Sequence, residues 1–349
     1  MVIIIFLAQK VMVYKKKVFK AAVLIKKNTI KILDLVKPNL KPFQVFVKIK
    51  YSSICHTQLQ EIQGDRGIDK FLPHCLGHEA IGEVKETHKS VKKIKVGDKV
   101  CLSWIKNDGN DAGGSTYSDI NGLKINAGPV HTLNEYAVIS ENRIYKLKNN
   151  KNLKSKLLLG CAMSTAYNTL HDEFNSNFTK TIVIIGCGGL GLSCVVMAKL
   201  KKFTKIIAID KFKKKQEIAR ELGATDTFSS IEKLKQKFDI VLECTGDIEV
   251  LKSSFKFTKE FGGKIVLIGN YPKGQKLNLD PWNVIKGITL KGAWLDNNPF
   301  NKKFIELEKL IENKKFNSFF GQNIYNLKNI NTALNDFRQG RTVRPLIIT

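Results

Sequence analysis

The sequence predicts an α/β protein built from a mostly β amino-terminal part and a doubly wound parallel sheet. Three observations support this prediction. Short strand-like runs separated by turn residues fill positions 18–140, and from about residue 155 strand-like and helical stretches alternate. The third observation is the turn Gly186-Cys187-Gly188-Gly189-Leu190-Gly191, which directly follows the β-branched run 181–185.

The amino-terminal part contains strand-like runs that are short and closely spaced, at 18–25, 30–36, 45–50, 81–85, 99–102 and 135–139. Proline residues and the Gly97-Asp98 pair separate several of these runs. Short strands with frequent turns are typical of a small barrel. The glycine-rich stretch 108–128 is predicted to be a loop.

The glycine turn predicts a dinucleotide site because each part of a strand–turn–helix unit is present. The run 181–185 is apolar enough to be buried on both faces, and 190–200 has helical spacing. Gly186 permits the tight turn, Gly188 lets the backbone approach a pyrophosphate, and Gly191 lets the helix pack closely. A second strand, 205–209, ends at Asp210, where a carboxylate can meet the adenosine ribose.

The rest of the chain continues the alternating pattern. Strands are predicted at 238–242, 264–268, 289–293 and 345–348, and helices at 213–222 and 303–312. This order predicts a parallel sheet with helices on both faces.

The composition indicates a two-domain globular protein with an unusual charge. The chain has 349 residues, 43% apolar content and a formal net charge of +27, from 58 Lys and Arg against 31 Asp and Glu. A basic field attracts phosphates, so a polyanionic partner is one interpretation. The lysines are scattered along the whole chain, which favours a solvated basic surface with no nucleic-acid partner. The charge would still favour an anionic small substrate.

The cysteines indicate a reducing compartment. Their odd number, seven, and wide spacing argue against a disulfide framework, so we expect a cytoplasmic protein. The apolar run 2–8 is too short to span a membrane, and its lysines follow it, the reverse of a signal peptide. We expect no membrane association.

Three separated residues could bind a metal. Cys55 stands in Cys-His-Thr, His78 in Gly-His-Glu, and Cys161 in Gly-Cys-Ala-Met-Ser-Thr. Two thiolates and an imidazole would leave a fourth tetrahedral position for water or substrate, as in catalytic zinc sites. Taken singly, such a cysteine is more often a small buried residue, and such a histidine a hydrogen-bonded core residue.

These motifs, in this order ahead of Gly-x-Gly-Gly-x-Gly, resemble the zinc-dependent medium-chain alcohol dehydrogenase family from about residue 18 to the carboxyl terminus. The resemblance implies a GroES-like β-barrel catalytic domain, residues 1–160 and 297–349, around a Rossmann NAD-binding domain, residues 161–296. It implies that Cys55, His78 and Cys161 bind one catalytic zinc, with Glu79 close to the metal. The implied reaction transfers a hydride between an alcohol, polyol or sugar-derived substrate and NAD, with zinc activating the oxygen.

Further roles follow from the same resemblance. Thr57 would hydrogen-bond the reacting oxygen and pass its proton onward. Cofactor contacts are implied for a larger set: His56, Thr165, Gly186, Gly188, Gly189, Leu190, Gly191, Asp210, Lys215 and Arg344. His56 and Arg344 would reach the pyrophosphate, and Lys215 the ribose. The substrate wall would be formed by Trp104, Leu133 and Trp294, unless these residues simply pack in the core.

Two positions depart from the family pattern. Many relatives carry a histidine that completes the proton relay where this chain has Gln60, which cannot act as a base. The stretch 108–128 has none of the four cysteines that bind a structural zinc in many relatives, so we expect one metal per subunit. Relatives form homodimers or homotetramers, and we expect the same here.

Two questions stay open at this point. Asp210 favours NAD because its carboxylate would repel the extra phosphate of NADP, although Lys211 and Lys213–Lys215 could offset that repulsion. A zinc-free quinone or enoyl reductase of the same superfamily is the main alternative, and the cysteine–histidine trio argues against it. A basic nucleic-acid-binding protein on a dehydrogenase fold is a remote alternative.

Overall fold

The computed structural model describes residues 17–173, 180–294 and 301–349. The apolar run 2–8 and the predicted domain boundary between residues 296 and 297 lie outside these ranges, and the domain limits stay predictions. In chain order the strands are β1 (Val18–Lys26), β2 (Thr29–Val36), β3 (Gln44–Ser53), β4 (His74–Cys75), β5 (Glu79–Thr87), β6 (Lys99–Ser103), β7 (Ser115–Asp119), β8 (Lys124–Ala127), β9 (Tyr136–Ser140), β10 (Ile144–Lys146), β11 (Thr181–Ile185), β12 (Lys205–Ile209), β13 (Asp226–Phe228), β14 (Ile240–Glu243), β15 (Lys264–Leu267), β16 (Thr289–Gly292), β17 (Ile324–Asn326) and β18 (Leu346–Ile348).

The helices are likewise numbered in chain order. They are α1 (His56–Gln63), α2 (Leu153–Lys156), α3 (Ala162–Glu173), α4 (Gly189–Leu200), α5 (Lys213–Leu222), α6 (Ile248–Ser254), α7 (Pro281–Ile285), α8 (Asn301–Leu310) and α9 (Ile330–Arg338). The predicted strand 205–209 and helix 213–222 are confirmed to the residue. Within the described ranges, no helix is both long and apolar enough to cross a membrane.

The strands form three sheets within the described residues. A closed barrel has the order β1-β2-β7-β8-β4, and a second sheet has the order β10-β6-β5-β3-β18-β17, with β9 also paired to β3. The third sheet is parallel throughout, in the order β13-β12-β11-β14-β15-β16. The predicted α/β class, with a GroES-like barrel part and a Rossmann sheet, is confirmed.

The parallel sheet is buried on both faces, which explains the unbroken apolar runs in its sequence. Ile182 and Ile184 of β11 belong to one hydrophobic cluster, whereas Val183 and Ile185 belong to another on the opposite face. Successive side chains of a strand point to opposite faces, so both faces must be covered by helices. The carboxyl ends of these strands form one edge of the sheet. The glycine turn follows β11 at this edge and lines a cleft.

The prediction of a loop over 108–128 is wrong in part, because β7 and β8 form an antiparallel hairpin there. The inward side chains of β7 are Ser115, Tyr117 and Asp119, so the strand lacks an apolar alternation that sequence could reveal. Hydrogen bonds hold the hairpin instead. The Asp119 carboxylate accepts from the backbone N–H groups of Asn121 (2.9 Å) and Leu123 (2.8 Å) at its turn.

A buried hydrogen-bond chain ties this hairpin to the second sheet. The Tyr117 hydroxyl accepts from the Val138 N–H at 2.8 Å and donates to His131 Nε2 at 2.7 Å. His131 Nδ1 donates to the Gly128 carbonyl at 3.0 Å. Both ring nitrogens are therefore used by a neutral imidazole, and burial lowers the His131 pKa to about 4.

Because His131 is neutral in the folded protein, we expect the free energy of unfolding to fall in acid. The unfolded chain binds a proton at His131 near its ordinary pKa of 6.5, so this stabilisation is complete above pH 6.5 and is lost as pH falls towards 4. The loss should reach about 3 kcal/mol in the free energy of unfolding. Urea unfolding of wild type and His131→Gln between pH 4.5 and 7.5 should show a flatter pH dependence in the variant. A His88→Gln control should keep the wild-type slope, and an equal slope in all three proteins would contradict the assignment.

Candidate active site

A cleft of about 1580 Å³ runs between the barrel and the second sheet on one side and the carboxyl edge of the parallel sheet on the other. It is lined from one side by the predicted metal ligands and from the other by the glycine turn and Asp210. Cys55 and His78 lie more than a hundred positions before Gly186, whereas Cys161 lies 25 positions before it. The fold therefore brings the two halves of the predicted site into one cavity.

The predicted metal ligands converge. Cys55 directly precedes α1, His78 stands between β4 and β5, and Cys161 directly precedes α3. Their ligand atoms all lie within 4.8 Å of one another, and no other group of this kind occurs among the described residues. His78 Nε2 lies 3.3 Å from Cys161 Sγ. Two sulfurs and one imidazole nitrogen at this spacing fit a zinc ion and leave a fourth position open.

The two thiols are held in different states by their surroundings. The hydrogen bond from Cys161 lowers the pKa of Cys55 well below its ordinary value, and the positive charge of Arg344 acts in the same direction. The shared hydrogen bond and burial raise the pKa of Cys161 well above its ordinary value. Thiolate ligation of a cation would require both sulfurs to be free of protons, which the charge of the cation itself would favour.

Glu79 forms a buried ion pair behind the trio. Its Oε1 accepts from Arg344 Nε at 2.8 Å, and also from Arg344 Nη2 and the Ser53 hydroxyl. Glu79 and Arg344 are 0% and 3% exposed. Burial raises the pKa of Glu79, whereas the Arg344 charge opposes that rise. Glu79 Oε2 is buried without a hydrogen-bond partner among the described residues, which leaves it available beside the ligand trio.

Arg344 also reaches the glycine turn. A methyl group added to Gly189, the first residue of α4, would overlap Arg344 Nη1, so the guanidinium would have to shift to admit a larger residue. A methyl group at Gly191 would likewise overlap the Gly186 carbonyl, and Gly186 itself has a φ of +94°. Arg344 thus lies beside the glycine turn, and its predicted contact with the pyrophosphate stays a prediction; its pairing with Glu79 was not predicted.

Asp210 follows β12 at the sheet edge, as predicted. Its carboxylate accepts from the backbone N–H groups of Cys187 and Phe212, both at 2.9 Å. Lys215 Nζ lies 4.0 Å from Asp210 Oδ2, and both side chains are about one-tenth exposed. The carboxylate is therefore fixed at the cleft with a cation beside it.

A polar bridge of three hydrogen bonds spans the cleft near the trio. Gln60 Nε2 donates to the Asn270 carbonyl at 2.6 Å, and Asn270 Nδ2 donates to the Thr57 hydroxyl at 3.0 Å. A third bond runs from the Lys273 N–H to the Asp65 carbonyl at 2.8 Å. Gln60 thus connects α1 to the loop after β15. Sequence gave no signal for Asn270, because its partners lie more than 200 residues away.

The remaining predicted residues divide into two groups. The cleft is lined by His56, Thr165, Gly188, Leu190, Trp104 and Trp294. The two tryptophan rings are 5.8 Å apart at 60°, and Trp294 is 75% exposed. Leu133 does not belong to this wall, contrary to expectation. It is buried with Ile54 and Leu76 in a separate hydrophobic cluster, because its neighbours pair with β1.

Comparison with known proteins agrees with this architecture. Residues 41–149 match the family model described as alcohol dehydrogenase GroES-like domain, and residues 189–313 match the model described as zinc-binding dehydrogenase. An S-(hydroxymethyl)glutathione dehydrogenase of Photobacterium damsela subsp. piscicida is 26% identical over 90% of this chain and 94% of its own.

Solved structures show the same fold. The benzyl alcohol dehydrogenase of Acinetobacter calcoaceticus superposes with a TM-score of 0.80 at 25% identity, over 95% of this chain and 99% of its own. An alcohol dehydrogenase zinc-binding domain protein from Burkholderia ambifaria gives 0.83 at 23% identity, over 95% and 99%. The fold and the site define an oxidoreductase of the alcohol dehydrogenase type. The chain belongs to the zinc-dependent medium-chain dehydrogenase family.

The buried ion pair predicts strong coupling between its members. Arg344→Met leaves the Glu79 carboxylate buried without its cation, so we expect a loss of roughly 3–5 kcal/mol in the free energy of unfolding. Glu79→Gln leaves the Arg344 guanidinium buried without its carboxylate, so we expect a loss of similar size. The double variant should lose clearly less than the sum of the single losses in urea unfolding, and additive losses would show that the two groups do not interact.

Proposed function

We propose that the protein is a zinc- and NAD-dependent alcohol dehydrogenase that interconverts an alcohol and its aldehyde or ketone. The observation that carries this proposal is the convergence of Cys55, His78 and Cys161 in the same cleft as the glycine turn. When bound, zinc would polarise the substrate oxygen as a Lewis acid and the nicotinamide would exchange the hydride.

The residues of the chain would bind and orient the reactants. Cys55, His78 and Cys161 would hold the metal, and the free N–H groups at the start of α4 would bind the pyrophosphate. The Thr57 hydroxyl, which accepts from Asn270, keeps its own proton to donate and one lone pair to accept from a substrate hydroxyl. Since Gln60 cannot accept a proton, a proton passed on by Thr57 would leave through the ribose and water.

The substrate is proposed at the level of its class. Of the three similar proteins named above, one is a benzyl alcohol dehydrogenase and one an S-(hydroxymethyl)glutathione dehydrogenase by name. In the cleft, Arg66 and Lys70 lie among Glu61 and Asp69, so the large positive charge is not concentrated there. The Trp104–Trp294 pair offers an apolar wall to a primary, secondary or sugar-derived alcohol.

We also propose a homodimer or homotetramer in the cytoplasm. The support is the exposed apolar surface near the end of the parallel sheet. Among the described strands, β16 is the last of that sheet, and Trp282 and Ile285 of α7 are 63% and 70% exposed. Apolar side chains of this size beside an edge strand favour association.

The metal proposal predicts the behaviour of one variant. Cys161→Ser removes a thiolate ligand, so zinc content should fall and oxidation of alcohols with NAD should be lost, whereas NADH binding should persist. Elemental analysis, a screen of alcohols, polyols and sugar phosphates, and NADH fluorescence titration measure the three quantities. A Cys244→Ser control changes a cleft cysteine outside the trio and should keep its zinc. Turnover that survives the loss of zinc, or enone reduction by metal-free wild type, would contradict the proposal.

The cofactor proposal predicts the cofactor preference of a second variant. Asp210→Ser removes the carboxylate that would repel the ribose phosphate of NADP and leaves Lys215 in place. We expect the ratio of kcat/KM for NADP to that for NAD to rise by about 100-fold, which corresponds to roughly 2.7 kcal/mol. Asp247→Ser changes another acid of the cleft and should leave this ratio unaltered. A wild-type preference for NADP would overturn the assignment to NAD.

A further inference from the structure

Gln58 lies between two of the metal-ligand residues. It is the third residue of α1, and only 2% of its side chain is exposed. Its Oε1 accepts from the backbone N–H of Cys55 at 2.9 Å. Its Nε2 lies 2.6 Å from Nδ1 of His78. One amide group therefore contacts both the start of the helix and the ring of the imidazole ligand.

The orientation of this amide follows from chemistry. A backbone N–H can only donate, so the oxygen of Gln58 must face Cys55. The Gln58 nitrogen can also only donate, so Nδ1 of His78 must accept. A neutral imidazole that accepts at Nδ1 carries its proton on Nε2. Nε2 is the atom that faces Cys161 Sγ at 3.3 Å, and in this state it has no lone pair to offer.

Metal binding requires the opposite arrangement. A ligating Nε2 has given up its proton, so the neutral ring carries the proton on Nδ1 and donates from there. Two donors, the Cys55 N–H and the His78 Nδ1–H, then face a side chain with a single oxygen. A carboxylate has two oxygens and could accept from both, but an amide turned towards one of these donors presents its own N–H groups to the other.

We propose that Gln58 is a positioning residue that couples metal occupancy to the amino-terminal end of α1. With the site loaded, the amide turns over, so that Oε1 accepts from His78 Nδ1 and the Cys55 N–H loses its side-chain acceptor. The cost of that lost bond weakens metal binding relative to a carboxylate at the same position. This inference rests on the proposed function, because it takes the trio to be the metal site.

A metal titration tests the energetic part. Gln58→Glu places two acceptor oxygens between the two donors, so zinc should bind about 10–100-fold more tightly in competition with a chromophoric chelator. Gln63→Glu adds the same charge at the far end of α1, away from the ligands, and should leave the affinity unchanged within the error of the titration. Equal affinities for wild type and Gln58→Glu would overturn the inference.

The position of the ring proton tests the structural part without any variant at Gln58. Long-range ¹H–¹⁵N spectra of the imidazole rings, with His78 assigned by comparison with His78→Asn, should place the proton on Nε2 in metal-free protein and on Nδ1 after zinc is added. A proton on Nδ1 in the metal-free protein would overturn the inference. If neither protein binds zinc, the proposed function fails, and the metal-free spectrum still shows whether Gln58 fixes the ring.

Discussion

The buried guanidinium of Arg344 contacts separate parts of the chain that together form the site. Arg344 precedes β18, which pairs with the end of β3 just before the first metal-ligand residue. Its guanidinium is paired with Glu79 behind the cysteine–histidine trio and lies against Gly189, the first residue of α4. A charge this deeply buried requires a close partner of opposite sign. The ion pair thereby joins the start of β5 to the segment before β18, and the same guanidinium lies against the first residue of α4.

The polar bridge on the other side of the cleft completes this constraint. Gln60 and Asn270 connect α1 to the loop after β15, and Asn270 also orients the Thr57 hydroxyl. The residue that stands in place of a relay histidine therefore serves to link the two parts of the molecule. Together with the ion pair, this bridge fixes the metal-ligand residues and the glycine turn at opposite walls of one cleft.

Sequence predicted those features that depend on local pattern. The parallel strands were evident because both of their faces are buried, which leaves continuous apolar runs. The hairpin at β7 was missed because the buried residues Ser115 and Asp119 are polar and are satisfied by hydrogen bonds. Leu133 was assigned to the substrate wall by analogy, but packing against distant residues places it in the core. Gln58 was missed because its role depends on a contact with His78, 20 positions away.

The central claim is that Cys55, His78 and Cys161 share one cation beside the nucleotide cleft. Anomalous diffraction at the zinc edge, from crystals grown with zinc, tests this claim most directly. The account predicts one strong peak within about 2.0–2.3 Å of His78 Nε2 and both sulfurs. A peak bound to other residues, or no peak at the trio while zinc is bound elsewhere, would contradict it.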